Sequence, residues 1–76
     1  MEPDWSKMVS EVISEFTADA NEADRMVAVL KQTSEYGMTH SLWCNGLTIK
    51  EAKRMLRQLL TEMGVKKVKV YHGNSV

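Results

Sequence analysis

Apolar residues in the first quarter of the chain recur at helical spacing. Trp5, Met8, Val9, Val12, Ile13 and Phe16 follow one another at intervals of 3, 1, 3, 1 and 3. Such intervals gather them on one stripe of a helix and leave Lys7, Ser10, Glu11, Ser14 and Glu15 opposite. Asp4 stands where a capping residue belongs. Read as a strand, the same stretch would put Glu11 and Glu15 on the face of Val9 and Ile13, a poor core surface. The pattern predicts a helix over residues 5–17, with a strand over residues 8–17 as the alternative.

Ala23, Met26, Val27 and Leu30 repeat the helical pattern. They predict a second helix over residues 21–36, closed at Gly37, where glycine can take the left-handed conformation. The short, aromatic-bearing "MTHSLWC", residues 38–44, then suits a strand. Asn45-Gly46 is a strong hairpin signal, but the returning strand would run "LTIK" into Glu-Ala-Lys-Arg, which are poor strand formers. A helix fits better. Thr48 and Glu51 form a capping box, and Ile49, Ala52, Met55, Leu56, Leu59, Leu60 and Met63 continue one stripe to Gly64. The cap contributes about 1 kcal/mol and the buried stripe several times that, so Gly46 leads into a helix over residues 49–63. The alternating "VKKVKVYHG", residues 65–73, predicts a final strand over residues 65–72, with 73–76 as a tail.

The expected architecture is therefore a single α/β (α+β) domain over residues 1–76. It is a small two-layer fold in the order α-α-β-α-β, ending in a βαβ unit with parallel strands. The alternative is βαβαβ, with residues 8–17 as a strand. A two-stranded sheet is a weak foundation with open edges, so a homodimer belongs to the expectation.

Composition adds bounds. Seventy-six residues, 43% hydrophobic and 26% charged, make one globular domain with a thin core. The longest apolar run, "MVAVL" at residues 26–30, is far too short to cross a bilayer. No basic segment leads into an apolar one as in a secretory signal. A single cysteine cannot form an internal disulfide. These features predict a cytoplasmic protein, in a host cytoplasm if phage-encoded, with no membrane association.

Net charge is zero, but it is unevenly spread. Residues 1–45 carry three cations against eight carboxylates, a net of −5, and residues 46–76 carry seven cations against two carboxylates, a net of +5. The halves can attract each other within the fold or between copies. They can equally mark an acidic docking face and a nucleic-acid face.

Candidate chemistry is sparse. Cys44 precedes a helix start, where a thiol pKa can be lowered. On a strand, however, His40 would sit roughly 13 Å from it, and His72 could approach only from a neighbouring strand. Neither Cys-x-x-Cys nor His-x-x-x-His occurs, so no metal site is expected. Glycines 37, 46, 64 and 73 each stand at an expected element boundary, not in a phosphate loop. Glu11 and Glu15 form a like-charge pair one turn apart, not an acid–base pair. No catalytic residue and no cofactor is expected.

Binding surfaces are better supported. With Val68 and Val70 facing the core, Lys67, Lys69 and Tyr71 share the opposite sheet face with Trp43. Aromatics can then stack on bases while lysines meet phosphates. Lys50, Lys53, Arg54 and Arg57 add a basic helix stripe. Against this, parallel strands are normally covered on both faces, and the first helix could cover Trp43 and Tyr71. The acidic surface comprises Glu11, Glu15, Asp19 and Glu22. Met8, Met26, Met55 and Met63 fall on inward stripes, where methionine fills gaps.

The leading functional expectation is a small non-enzymatic binding protein. It would act stoichiometrically on a protein partner or complex, as a regulator or inhibitor of the kind phages and mobile elements encode. A nucleic-acid-binding module using the aromatic and basic face is the second expectation.

Overall fold

The computed structural model describes residues 4–65. Among the described residues there are four helices and no strand: α1 (Trp5–Ile13), α2 (Ala20–Lys31), α3 (Ser34–Cys44) and α4 (Ile49–Glu62). The α/β expectation is thus corrected, as is its alternative with residues 8–17 as a strand. Residues 38–44 form most of α3. Of the expected strand 65–72, only Val65 is described; the rest lies outside the described residues.

The first helix keeps its stripe but ends earlier than expected. Met8, Val9, Val12, Ile13 and Phe16 are all buried. After Ile13 the backbone tightens, and Glu15 and Phe16 donate to Val12 and Ile13 at 3.0 and 2.8 Å, as in a 3₁₀ turn. Asp4 occupies the cap position without a side-chain capping bond.

A single residue divides the expected helix 21–36. Thr33 donates its hydroxyl to the Leu30 carbonyl at 2.7 Å, and the Thr33 hydroxyl oxygen itself accepts the Tyr36 amide N–H at 3.2 Å. It thereby closes α2 and caps α3. Gly37, expected as a terminator, lies inside α3 and has no positive φ.

Two helices end in matching glycine turns. Gly46 (φ 104°) follows α3 and Gly64 (φ 89°) follows α4. Leu47 donates to Leu42 at 2.9 Å and Gly46 to Trp43 at 3.2 Å; Val65 donates to Leu60 at 3.1 Å and Gly64 to Thr61 at 3.0 Å. Both are Schellman closures, in which glycine supplies the left-handed residue. Asn45-Gly46 thus ends one helix, and Thr48 caps the next by accepting the Glu51 amide at 3.2 Å.

The core is shared by three helices and the turn after α1. Leu30 comes from α2, and Ala52, Leu56, Leu59 and Leu60 come from α4; they pack with the α1 residues and Phe16. Ile49, expected on the inward stripe of α4, is exposed instead. The short connection over residues 45–48 makes α3 and α4 an αα-hairpin, whose helices run antiparallel.

Candidate functional site

Helical geometry assigns α4 three stripes. At 100° per residue, Ala52, Leu56, Leu60 and Met63 share the buried side, Lys53 and Arg57 one flank, and Met55, Gln58 and Glu62 the other. Each flank meets a different helix.

On the α1 flank, the predicted acidic and basic surfaces are joined. Glu11 and Lys53 pair at 2.9 Å. Arg57 donates from Nε and Nη2 to the two carboxylate oxygens of Glu15 at 2.7 and 3.0 Å, a bidentate contact. Both pairs are 42 residues apart, so the contacting edges of α1 and α4 run parallel. The hydrogen-bonded Lys53 ammonium holds the Glu11 carboxyl below the usual carboxylate range. Hydrogen bonding to Glu15 raises Arg57 above the ordinary arginine range.

The other predicted binding residues are dispersed. Asp19 caps α2, accepting from the Asn21 amide at 2.9 Å. Glu22 accepts from the buried Thr17 hydroxyl at 2.6 Å. Arg54 pairs with Glu51 at 3.0 Å, and Lys50 is exposed. Trp43 is half-buried and belongs to an aromatic cluster with Trp5. Its ring lies 6.1 Å from that of Trp5. Trp5 donates Nε1–H to the Tyr36 hydroxyl at 2.9 Å, and its ring centroid lies 4.8 Å from that of His40 with the planes tilted by 39°. Lys67, Lys69 and Tyr71 lie outside the described residues.

The separation expected between Cys44 and His40 is also corrected. It assumed a strand. One turn apart on α3, Cys44 Sγ and His40 Nε2 lie 3.8 Å apart. The exposed thiol therefore has an imidazole beside it, and the spacing His-x-x-x-Cys is legible once residues 40–44 are helical. The described residues include no group of three or more His, Cys, Asp or Glu able to hold a metal ion.

On the α3 flank of α4 lies a groove of about 150 Å³. Its apolar lining includes Met38, Met55 and Leu59, with Glu35, Gln58 and Glu62 as polar lining. Met38 is 61% exposed and Leu42, one turn further along α3, is 44% exposed. Sequence reasoning missed this strip because it turned residues 38–44 into a strand, whose alternation does not place Met38 and Leu42 beside a groove between helices. A second groove, of about 250 Å³, lies between α2 and α4, with Met26, Val29, Leu60, Met63 and Val65 in its lining.

No described helix is long and apolar enough to cross a membrane. No family model, no curated protein and no solved structure matches this chain.

Proposed function

We propose that this chain is a small non-enzymatic binding protein that acts stoichiometrically on a protein partner, which docks on the outer side of the α3–α4 hairpin. The observation that carries the reading is the pair Met38 and Leu42, exposed one turn apart beside a groove containing Met55 and Leu59. Single exposed apolar residues need no explanation; two of them one turn apart, the first lining a groove with further apolar side chains, support reading this side as an interaction surface. Methionine at its centre suits a surface that adapts to its ligand.

The nucleic-acid reading ranks second on the same observations. Lys53, Arg54 and Arg57 already serve carboxylates within the chain, which reduces the charge the helix offers to phosphate. An enzymatic reading would centre on Cys44 and His40, and neither lines the two grooves described.

The test is a capture experiment from cell extract with wild type and with a Met38→Asp, Leu42→Asp variant whose helical circular dichroism is retained. The expected result is a partner lost with the variant and bound by the purified wild type at a fixed ratio. Equal recovery with both proteins would sink the reading, as would retention only of nucleic acid that fades steeply with salt.

A further inference from the structure

The groove and strip specify more than adhesion. A cavity of about 150 Å³ accommodates one benzene ring, so the α3–α4 groove has room for a single anchor of leucine or phenylalanine size. Leu42 offers a second apolar contact one helical turn from Met38. Four residues of helix rise about 6 Å, which is also the spacing of apolar anchors at i and i+4 on a second helix lying alongside. Strand addition would require a sheet edge, and the described residues form no strand. An extended peptide also places side chains i and i+2 about 6.6 Å apart, but it would find no strand to pair with among the described residues, whereas a helix satisfies its own backbone groups. A helical ligand is therefore favoured.

The groove is also charged at one end. Glu35 belongs to the first turn of α3 and Glu62 to the last turn of α4. Because the hairpin is antiparallel, both lie at its open end, away from the 45–48 connection. Their side chains meet those of Ser34 and Gln58, and among the described residues neither forms an ion pair. Met38, Met55 and Leu59 thus adjoin two carboxylates that form no ion pair with a described residue. This differs from the α1 flank, where the carboxylates and cations are matched.

We infer that the partner segment is a basic amphipathic helix. It inserts one large apolar side chain between Met38 and Met55, rests a second on Leu42, and carries lysine or arginine at the end facing Glu35 and Glu62. This rests on the docking reading above and adds to it the conformation and charge of the ligand. Opposite charge at the rim sets orientation and selects against acidic helices.

The probes are two fluorescently labelled helical peptides of about 14 residues. They share leucine anchors at i and i+4 and carry either lysine or glutamate at the end that would face Glu35 and Glu62. Anisotropy titration of the full chain is expected to show the lysine peptide binding about fivefold more tightly than the glutamate peptide, with the ratio falling as salt rises. The double variant Glu35→Lys, Glu62→Lys should reverse the preference. Met38→Asp, with its helical circular dichroism intact, should abolish binding of both peptides.

The failures separate. Equal affinity for both peptides, still abolished by Met38→Asp, would overturn the inferred charge and leave the docking surface standing. Binding of neither peptide, or binding that Met38→Asp leaves unchanged, would overturn the docking surface itself. Concentration-dependent sedimentation of the wild type that Met38→Asp removes would show a second copy of the chain on the strip, and would overturn the inference of a separate basic partner.

Discussion

Gly37, Gly46 and Gly64 have different roles, and the same substitution separates them. Gly46 and Gly64 hold φ of 104° and 89°, a region costly for a residue with a Cβ. Gly37 has helical neighbours on both sides, and a Cβ built on it meets nothing within 4 Å. Alanine at Gly37 should stabilise by about 1 kcal/mol, the usual cost of glycine within a helix. Alanine at Gly46 or Gly64 should destabilise by about 1 kcal/mol or more. Denaturant midpoints at unchanged slope measure all three. A destabilising Gly37→Ala would mean that the chain breaks at residue 37 and α3 does not run through it. The distinction was present in the sequence. Leu42 and Leu60 stand four residues before Gly46 and Gly64, with Leu47 and Val65 just after, which supplies the apolar contact of a Schellman closure. Thr33 stands four before Gly37, and threonine there caps a helix that begins at the next residue.

Thr33 is the reason two helices rather than one occupy residues 20–44. Its hydroxyl both satisfies a carbonyl at the end of α2 and accepts an amide at the start of α3. Thr33→Val keeps the shape and removes both bonds, and should cost about 1 kcal/mol. Thr33→Ser should stay within a few tenths of wild type. Thermal and denaturant unfolding of the pair checks this; a valine variant as stable as the serine variant would show that the break owes nothing to the cap. α4 was legible from the sequence because its core residues form one unbroken stripe behind a capped start. α3 was not, because it uses two sides. Tyr36, Thr39 and Trp43 are buried or half-buried while Met38 and Leu42 are exposed on another side, so no single amphipathic stripe appears. With Gly37 read as a stop, the remainder resembled a short aromatic strand. The strip proposed as the docking surface is the cause of that misreading. An apolar pair on the outside of a helix makes its pattern resemble a different element.

Across the whole molecule, the division of charge between the two halves was legible, but its destination was not. Sequence shows −5 facing +5; only the parallel approach of α1 and α4 aligns Glu11 with Lys53 and Glu15 with Arg57. A double-mutant cycle on Glu15→Gln and Arg57→Gln should give a coupling on the order of 1 kcal/mol at low salt. Bidentate geometry favours a value near the top of the surface range, and partial exposure screens it. The coupling should shrink as salt rises. The pH dependence has a definite sign. The Glu11 carboxyl is held low, so its contribution is fully present above the ordinary carboxylate range and is lost as pH falls through the lowered value. Arg57 is shifted upward, so its contribution is fully present below the ordinary arginine range and constant near neutrality. Stability measured from neutral pH into acid should therefore fall less steeply in Glu11→Gln than in wild type, because the variant has already lost that carboxylate. Exchanging the partners, as Glu15→Arg with Arg57→Glu, should recover part of the stability lost by either single reversal, since the register between the helices is unchanged. If neither single reversal costs stability and the exchange restores nothing, apolar packing alone sets that register. Lys53 and Arg57 would then be energetically free to meet an external anion, and the main objection to the nucleic-acid reading would fall.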